Sequence, residues 1–220
     1  MLVMVPSRER PRNVARFAQA AQQTATTADV VFIFDEDDPL LAESIKAAGP
    51  WRYVTQPRMI TVPKVNHFAM ANLDYPVLMF AGDDCIPQTK SWDEQLADAA
   101  ATGYAYPNGL GRTDIPEHVA IRSDIVEALG WFMLPVLSHY YTDNAWADLG
   151  NGAKCITYLS DVVLEHRNPL YRKGPKDHVL RMAELRGDAD RAAYQQWHDD
   201  GFADDLKTVQ QVTAGSKLQG

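Results

Sequence analysis

Two adjacent carboxylates, Asp83 and Asp84, directly follow an apolar run at residues 77–81. The run predicts a buried strand that ends at Gly82. Side chains at the carboxyl end of a buried parallel strand lie where open α/β sheets bind their ligands. Carboxylate oxygens suit hard divalent cations such as Mg²⁺ or Mn²⁺. The sequence Gly-Asp-Asp is also favourable in turns, so this stretch by itself leaves a plain turn open.

A second group of polar side chains follows the first predicted strand, residues 2–5. The chain enters a polar turn there, which carries Ser7, Arg8 and Arg10. Because the carboxyl ends of parallel strands meet at one edge of a sheet, we expect these side chains to lie near the two aspartates. Guanidinium groups bind phosphates well. The alternative is that the arginines form surface ion pairs with Glu9.

A third polar group follows the predicted strand at residues 30–34, where the chain reads Asp-Glu-Asp-Asp. Asp35 and Asp37 are the candidates in this run for contacts with a base or with ribose hydroxyls. A rim that holds carboxylates, arginines and a metal ion can bind a nucleotide diphosphate. A solvated acidic loop is the alternative interpretation.

The elements that position these groups alternate between strands and helices through the first half of the chain. Strands are predicted at residues 2–5, 30–34, 51–55 and 77–81, and helices at 12–24, 40–48, 62–71 and 91–102. This alternation predicts an α/β fold with a mostly parallel central sheet and helices on both faces. Further strands are predicted at 104–107, 119–121, 156–159 and 162–164, and helices at 123–129, 140–149, 177–184 and 189–198. The polar residues after about 201 are expected to form a loose tail.

Composition narrows the class of protein. The 220 residues are 46% hydrophobic and 23% charged, with a net charge of -8, which argues against a wide basic groove for duplex nucleic acid. Two distant cysteines, Cys85 and Cys155, suggest neither a zinc site nor a disulfide framework. The sequence lacks a signal-peptide pattern and an apolar stretch long enough for a bilayer. We therefore expect a cytoplasmic protein.

Taken together, the motifs resemble those of family-2 glycosyltransferases, which have the GT-A fold; the resemblance implies a Rossmann-like α/β sandwich. Members of that family open with a strand and the pattern Pro-Thr/Ser-x-x-Arg, which corresponds here to Pro6-Ser7-Arg8-Glu9-Arg10. Their second strand ends in an acid that contacts the nucleotide base, for which Asp35 and Asp37 are the candidates. A helix with Lys/Arg-x-Asn precedes their metal-binding strand, and Lys64 and Asn66 match it.

The family's Asp-x-Asp metal motif is only partly present. Aligned on Pro87, its first aspartate falls on Gly82 and its last on Asp84. The resemblance therefore implies Asp84 as the metal ligand, with Asp83 contacting ribose or supporting the site. A late strand followed by a metal-binding histidine matches the segment that contains His166. Mn²⁺ accepts an imidazole more readily than Mg²⁺ does.

The resemblance also implies a catalytic base and an acceptor side. In the family, a Glu-Asp pair begins a helix and its Asp takes a proton from the acceptor. Asp143 stands at that place, with Thr142 replacing the Glu. Asp143 is also open to interpretation as a simple helix cap. Trp131 is a candidate platform for a sugar or acceptor, with core packing as its alternative, and Tyr141 precedes the candidate base.

The function implied is a metal-dependent transfer of a sugar from a nucleotide-sugar, UDP-sugar first among them, with inversion. The nucleotide-binding set is Pro6, Ser7, Arg8, Arg10, Asp35, Asp37, Lys64, Asn66 and Asp83. Residues 1–172 are expected to form the catalytic domain, with a nucleotide-binding half (1–103) and an acceptor-side half (104–172), and residues 173–220 to form C-terminal helices and a tail. Small soluble members, some encoded by bacteriophages, suggest a protein, a modified nucleobase or a glycan as acceptor.

Two other classes of function stay open. One is an inactive module that binds nucleotide-sugars, which the Gly82 and Thr142 departures favour. The other is a sugar-phosphate nucleotidylyltransferase. Such enzymes are expected to carry a glycine-rich loop after the first strand, and residues 6–11 contain no glycine.

Overall fold

The structure is a computed structural model that describes residues 1–171, 173 and 176–216. It contains an eight-stranded sheet. Its strands are β1 (Leu2–Ser7), β2 (Asp29–Asp35), β3 (Arg52–Gln56), β4 (Val77–Phe80), β5 (Cys85–Pro87), β6 (Tyr104–Asn108), β7 (Val119–Arg122) and β8 (Ile156–His166). Their spatial order is β3-β2-β1-β4-β7-β6-β8-β5. Strands β1 to β4 are parallel to one another, and β7 runs antiparallel to both of its neighbours.

Helices cover both faces of this sheet, as the alternating sequence pattern predicted. The helices in the described part of the chain are α1 (Pro11–Thr24), α2 (Leu41–Ala48), α3 (Thr61–Met70), α4 (Trp92–Ala100), α5 (Ser123–Leu129), α6 (Thr142–Gly152), α7 (His178–Glu184), α8 (Gly187–Asp200) and α9 (Phe202–Ser216). None of them combines the length and apolar character that a membrane crossing requires.

The central strands bury side chains on both faces. In β1, Leu2 and Met4 pack on the side of α3, α5 and α6, whereas Val3 and Val5 pack on the side of α1, α2 and α4. Successive residues of a strand point to opposite faces, so one apolar run serves two cores. This explains why β1 and β2 read as continuous hydrophobic runs.

Strand β5 was not predicted from the sequence, which indicated a strand that ends at Gly82. The three residues pair antiparallel with the end of β8, and Cys85 stands opposite His166. Pro87 fits at the end of a strand, where its missing N–H removes little from the ladder. This pairing holds the residue that precedes β5, Asp84, beside the end of β8. The two short strands predicted at 156–159 and 162–164 are one continuous strand, β8.

The expected loose tail after residue 201 is wrong over most of its length, because Phe202–Ser216 forms helix α9. Val209 is fully buried, and Leu206 packs against α6 at Gly152. Phe202, Leu206, Val209 and Thr213 recur at intervals of three or four residues, which places them on one face of a helix. The polar residues of this segment occupy the opposite face, and α9 belongs to the same core as α5 and α6.

Candidate functional site

A cleft of about 970 Å³ lies at the carboxyl ends of β1, β2 and β4. Most of the residues singled out from the sequence line it: Pro6, Ser7, Arg8, Arg10, Asp35, Lys64, Asp83, Asp84, Tyr141, Asp143 and His166. The topology explains this convergence, since parallel strands deliver the side chains that follow them to one edge of the sheet.

One end of the cleft is built around Asp35, the last residue of β2. Its carboxylate is 1% exposed, and Lys64 from α3 lies 2.6 Å from Oδ1. Arg8 lies 3.3 Å from Oδ2 and also pairs with Asp37 at 2.6 Å. A buried carboxylate needs such partners, because an unpaired buried charge is strongly destabilising. Arg8 also contacts Glu9 at 3.2 Å, so the charge pair considered as the alternative is present as well.

Asp83 is buried and its carboxylate is bound from within the protein. Ser7 Oγ donates to Oδ2 at 2.5 Å, and Arg10 and Asn13 donate to Oδ1 at 3.2 Å and 3.3 Å. Burial and neighbouring Asp84 raise the pKa of Asp83, although Arg10 opposes them. These contacts tie the loop between β1 and α1 to the end of β4. Asp83 therefore fixes the position of this loop relative to β4.

Arg10, one of the two arginines expected to meet a phosphate, is bound by a carboxylate of the C-terminal region. Its Nε and Nη2 donate to the two oxygens of Asp177 at 2.6 Å and 2.7 Å, a bidentate pair. Burial by itself would lower the pKa of Arg10, but Asp83 and Asp177 raise it. Asp177 also caps α7 by accepting the N–H of Leu180 at 2.9 Å. One carboxylate therefore joins the rim of the cleft to the start of α7.

Asp84 and His166 meet where β5 pairs with β8. Asp84 Oδ1 lies 3.5 Å from His166 Nε2, with both side chains partly exposed in the cleft. Burial by itself would raise the pKa of Asp84 and lower that of His166. Their mutual contact outweighs burial, so the pKa of Asp84 is lowered, and with the help of Glu117 that of His166 is raised to about 10. These shifts in pKa apply to the site without a cation. A bound cation would be the largest local charge and would change both pKa values.

This pair suits Mg²⁺ or Mn²⁺. Such ions are usually held by one or two carboxylates together with substrate phosphates and waters, and imidazole is a good ligand for later divalent metals. Across residues 1–171, 173 and 176–216, no three His, Cys, Asp or Glu side chains are grouped so as to surround an ion. An ion beside Asp84 and His166 would therefore need further ligands, such as waters or substrate phosphates.

Gly82, where the resemblance would place the first aspartate, lies close to the side chains of Asp84 and His118. A Cβ at this position would lie 2.7 Å from Asp84 Oδ1 and 3.4 Å from Cε1 of His118. Any side chain here must displace the carboxylate of Asp84. The positions of the Asp84 and His118 side chains therefore leave little room for a side chain at residue 82.

Glu117 and His118 line the cleft and were missed in the sequence. The antiparallel pairing places Val119 opposite Phe80, so residues that precede β7 lie at the same edge as residues that follow β4. His118 Nδ1 accepts the N–H of Gly82 at 3.3 Å, and burial lowers the pKa of His118 to about 3. The available signal was a Glu-His pair directly before an apolar strand.

Asp143 lies in the first turn of α6 and lines the cleft. The cap position belongs to Tyr141, whose φ is +66°, so Asp143 is not the helix cap. Its Oδ1 accepts the N–H of Asn144 at 3.0 Å. Burial raises the pKa of Asp143, with a smaller contribution from Glu117. A half-buried carboxylate with a raised pKa is suited to accept a proton.

Three predicted residues do not line the cleft. Asp37 is exposed and pairs with Arg8. Asn66 binds the backbone of Phe132 and Met133, accepting both N–H groups and donating to the carbonyl of Met133. Trp131 is 7% exposed and packs in the core. For Trp131 the structure favours core packing over an acceptor platform, because its indole is buried among apolar side chains.

Comparison with known proteins identifies the fold. No protein-family model matches the sequence, and no curated protein matches it. Solved structures do match. One is S. aureus TarS 1-349, which has 13% sequence identity and a TM-score of 0.52; the match covers 74% of this chain and 58% of that one. Glucosyl-3-phosphoglycerate synthase from Mycobacterium tuberculosis, in complex with Mg²⁺ and UDP, has 12% identity, a TM-score of 0.57, and coverage of 83% and 76%.

A third similar structure is the mannosyltransferase PcManGT from Pyrobaculum calidifontis in complex with GDP-Man and Mn²⁺. It has 12% identity, a TM-score of 0.55, and coverage of 100% of this chain and 75% of that one. At these identities the likeness establishes the fold. The chain has a GT-A-type, Rossmann-like fold, as the resemblance implied.

Proposed function

We propose that this protein is a metal-dependent glycosyltransferase that moves a sugar from a nucleotide-sugar donor, most readily a UDP-sugar, to an acceptor. The observation that carries the proposal is the meeting of Asp84 and His166, 3.5 Å apart, in a cleft rimmed by Arg8 and Arg10. Similar folds are solved with UDP or GDP-Man and with Mg²⁺ or Mn²⁺. In this proposal residues 1–103 bind the donor and residues 104–172 face the acceptor.

The donor lies across the edge of the sheet in this proposal. Asp35, held by Lys64 and Arg8, faces the base and ribose. Arg10 faces the diphosphate, and Asp84 and His166 hold Mn²⁺ or Mg²⁺. The ion supplies positive charge against the diphosphate that leaves when the glycosidic bond breaks.

Asp143 acts on the acceptor. Its carboxylate removes the proton of the attacking hydroxyl or amine, which corresponds to an inverting reaction. Tyr141, whose hydroxyl receives a hydrogen bond from Arg191 at 2.9 Å, lies on the acceptor side. The acceptor class in this proposal is a protein, a modified nucleobase or a glycan, and the setting is the cytoplasm.

The test is calorimetric titration with UDP, GDP and other nucleoside diphosphates, each with and without Mn²⁺. We expect one nucleotide to bind much more tightly when Mn²⁺ is present, and Asp84→Asn to abolish that gain. Asp161→Asn, which changes an exposed carboxylate on β8, is the matched control and should bind as the wild type does. Equal affinities with and without Mn²⁺ for every nucleotide would refute the proposal.

An inactive nucleotide-sugar-binding module is the second candidate, and the pairing of Arg10 with Asp177 favours it. Both candidates predict donor binding, but only the enzyme releases nucleoside diphosphate in the presence of an acceptor. A nucleotidylyltransferase is disfavoured, because the loop at residues 6–11 has no glycine with which to wrap a triphosphate.

A further inference from the structure

His166 stands between two carboxylates, only one of which was expected. Its Nε2 lies 3.5 Å from Asp84 Oδ1, and its Nδ1 lies 3.2 Å from Glu117 Oε1. The side chains of His166 and Glu117 are 12% and 13% exposed. Nδ1 is buried and has no aligned hydrogen bond among the residues that the structure describes. Glu117 Oε1 is therefore an acceptor within reach of a small rotation of the ring.

Glu117 is itself restrained by a hydrogen bond from a residue that follows β8. Tyr171 donates its hydroxyl to Oε1 at 2.7 Å. The other oxygen, Oε2, faces Gly109, where an added Cβ would lie only 3.2 Å away. The carbonyl of Gly109 in turn accepts the N–H of His166 at 2.9 Å. Glu117 and His166 therefore both lie beside Gly109, and Glu117 Oε2 has no hydrogen-bond partner among the described residues.

These contacts suit a carboxylate that orients a metal-binding histidine. A histidine ligand usually donates the N–H of its second ring nitrogen to a carboxylate or carbonyl, which fixes both the tautomer and the direction of the ring. Asp84 faces Nε2 and Glu117 faces Nδ1, so the two carboxylates address opposite ring nitrogens. That arrangement separates their tasks, one beside the ion and one behind the histidine.

We propose that Glu117 is a positioning residue of the metal site, which accepts the Nδ1–H of His166 and so directs Nε2 toward the ion beside Asp84. The inference rests on the proposed function, because it takes Asp84 and His166 as the metal ligands. Tyr171 restrains Glu117 by the hydrogen bond to Oε1. Glu117 contacts neither the ion nor the sugar in this arrangement.

The experiment measures Mn²⁺ affinity by electron paramagnetic resonance of the free ion, with UDP present and no acceptor, so that it does not depend on turnover. Glu117→Gln and Glu117→Ala are expected to weaken Mn²⁺ binding by roughly 10- to 100-fold, the usual effect of losing such a partner. Tyr171→Phe should weaken it less. Glu165→Gln is the matched control, since Glu165 precedes His166 but pairs with Gln88 and Lys173, and it should leave the affinity unchanged.

A second readout distinguishes positioning from general structural support. In the Mg²⁺–UDP complex, the ¹⁵N chemical shifts of His166 should show its proton on Nδ1, and Glu117→Gln should reduce that tautomer while the melting temperature stays near that of the wild type. Wild-type Mn²⁺ affinity and an unchanged tautomer in Glu117→Gln would overturn this inference alone. If the wild type binds Mn²⁺ no better than His166→Ala does, the metal site and the proposed function both fail.

Discussion

Replacing Asp177 by Asn should tighten the binding of Mn²⁺–UDP, because Asp177 occupies the guanidinium that the diphosphate needs. The bidentate pair joins Arg10 to Asp177 at 2.6 Å and 2.7 Å, and the Asp177 side chain is 34% exposed. Hydrogen bonds to charged groups contribute about 1.5–3 kcal/mol, and screening at this exposure reduces the pair to roughly 1–1.5 kcal/mol. Since about 1.4 kcal/mol corresponds to tenfold in affinity, we expect on the order of 10-fold tighter binding.

The substitution is chosen to leave the cap of α7 in place. Asp177 accepts the N–H of Leu180, and Asn caps a helix about as well as Asp, whereas Ala costs about 1 kcal/mol. Asp177→Ala should therefore combine tighter nucleotide binding with a lower melting temperature. Asp188→Asn, which removes a fully exposed cleft carboxylate, should change neither quantity. If calorimetry finds that Asp177→Asn binds Mn²⁺–UDP no more tightly than the wild type does, a role for Arg10 in binding the diphosphate is refuted.

The remaining predictions concern three other substitutions and the pH dependence of the contribution that Asp177 makes to stability. Asp143→Asn should keep donor binding and lower turnover by about 10²–10⁴-fold, as measured by nucleotide release with acceptor; full activity would remove Asp143 as the base. Gly82→Ala should weaken Mn²⁺ binding, because its Cβ requires the Asp84 carboxylate to move; unchanged affinity would contradict this. Lys64→Met should lower the free energy of unfolding, measured with a denaturant, by about 3 kcal/mol, because it removes a charged partner of the buried Asp35 carboxylate. A loss of less than about 1 kcal/mol would mean that the pair is weak. The pKa of Asp177 is lowered from 3.8, against burial and chiefly by Arg10. Any stability that the wild type gains over Asp177→Asn should therefore be complete above that value and disappear as the pH falls through the native pKa, as acid titration can test.

Much of the fold was predictable because the parallel strands are buried on both faces. Uninterrupted apolar runs such as residues 30–34 and 77–81 marked those strands, and polar residues directly after them marked one edge of the sheet. The prediction that Ser7, Asp35 and Asp84 share one cleft therefore needed no information about long-range contacts. The order of the motifs also indicated the fold family.

The parts that were missed depend on contacts between distant segments. Strand β5 has three residues, too few for a periodic pattern, yet it places Asp84 beside His166. Glu117 lies in an irregular loop, and its contact with His166 follows from the antiparallel direction of β7, which the sequence pattern did not reveal. Trp131 was ambiguous because an aromatic side chain suits a core and a sugar platform equally well.

The C-terminal segment illustrates a different error. Its helix α9 has an apolar face at Phe202, Leu206 and Val209, but the polar residues between them dominated the overall composition. The helical periodicity of the apolar residues was present in the sequence, and it was a better guide to the structure of this segment than its polar composition. Asp177, at the start of the helix predicted at 177–184, contacts Arg10 at the rim of the cleft, and the sequence pattern did not predict that contact.

The central claim is that Asp84 and His166 hold the divalent ion that a nucleoside diphosphate completes. The most direct test is a crystal grown with UDP and Mn²⁺, with anomalous diffraction measured at the manganese absorption edge. The account predicts one strong anomalous peak in contact with a carboxylate oxygen of Asp84 and with Nε2 of His166, next to the diphosphate. A peak bound to other side chains, or UDP bound in the cleft with no anomalous peak beside it, would contradict the claim.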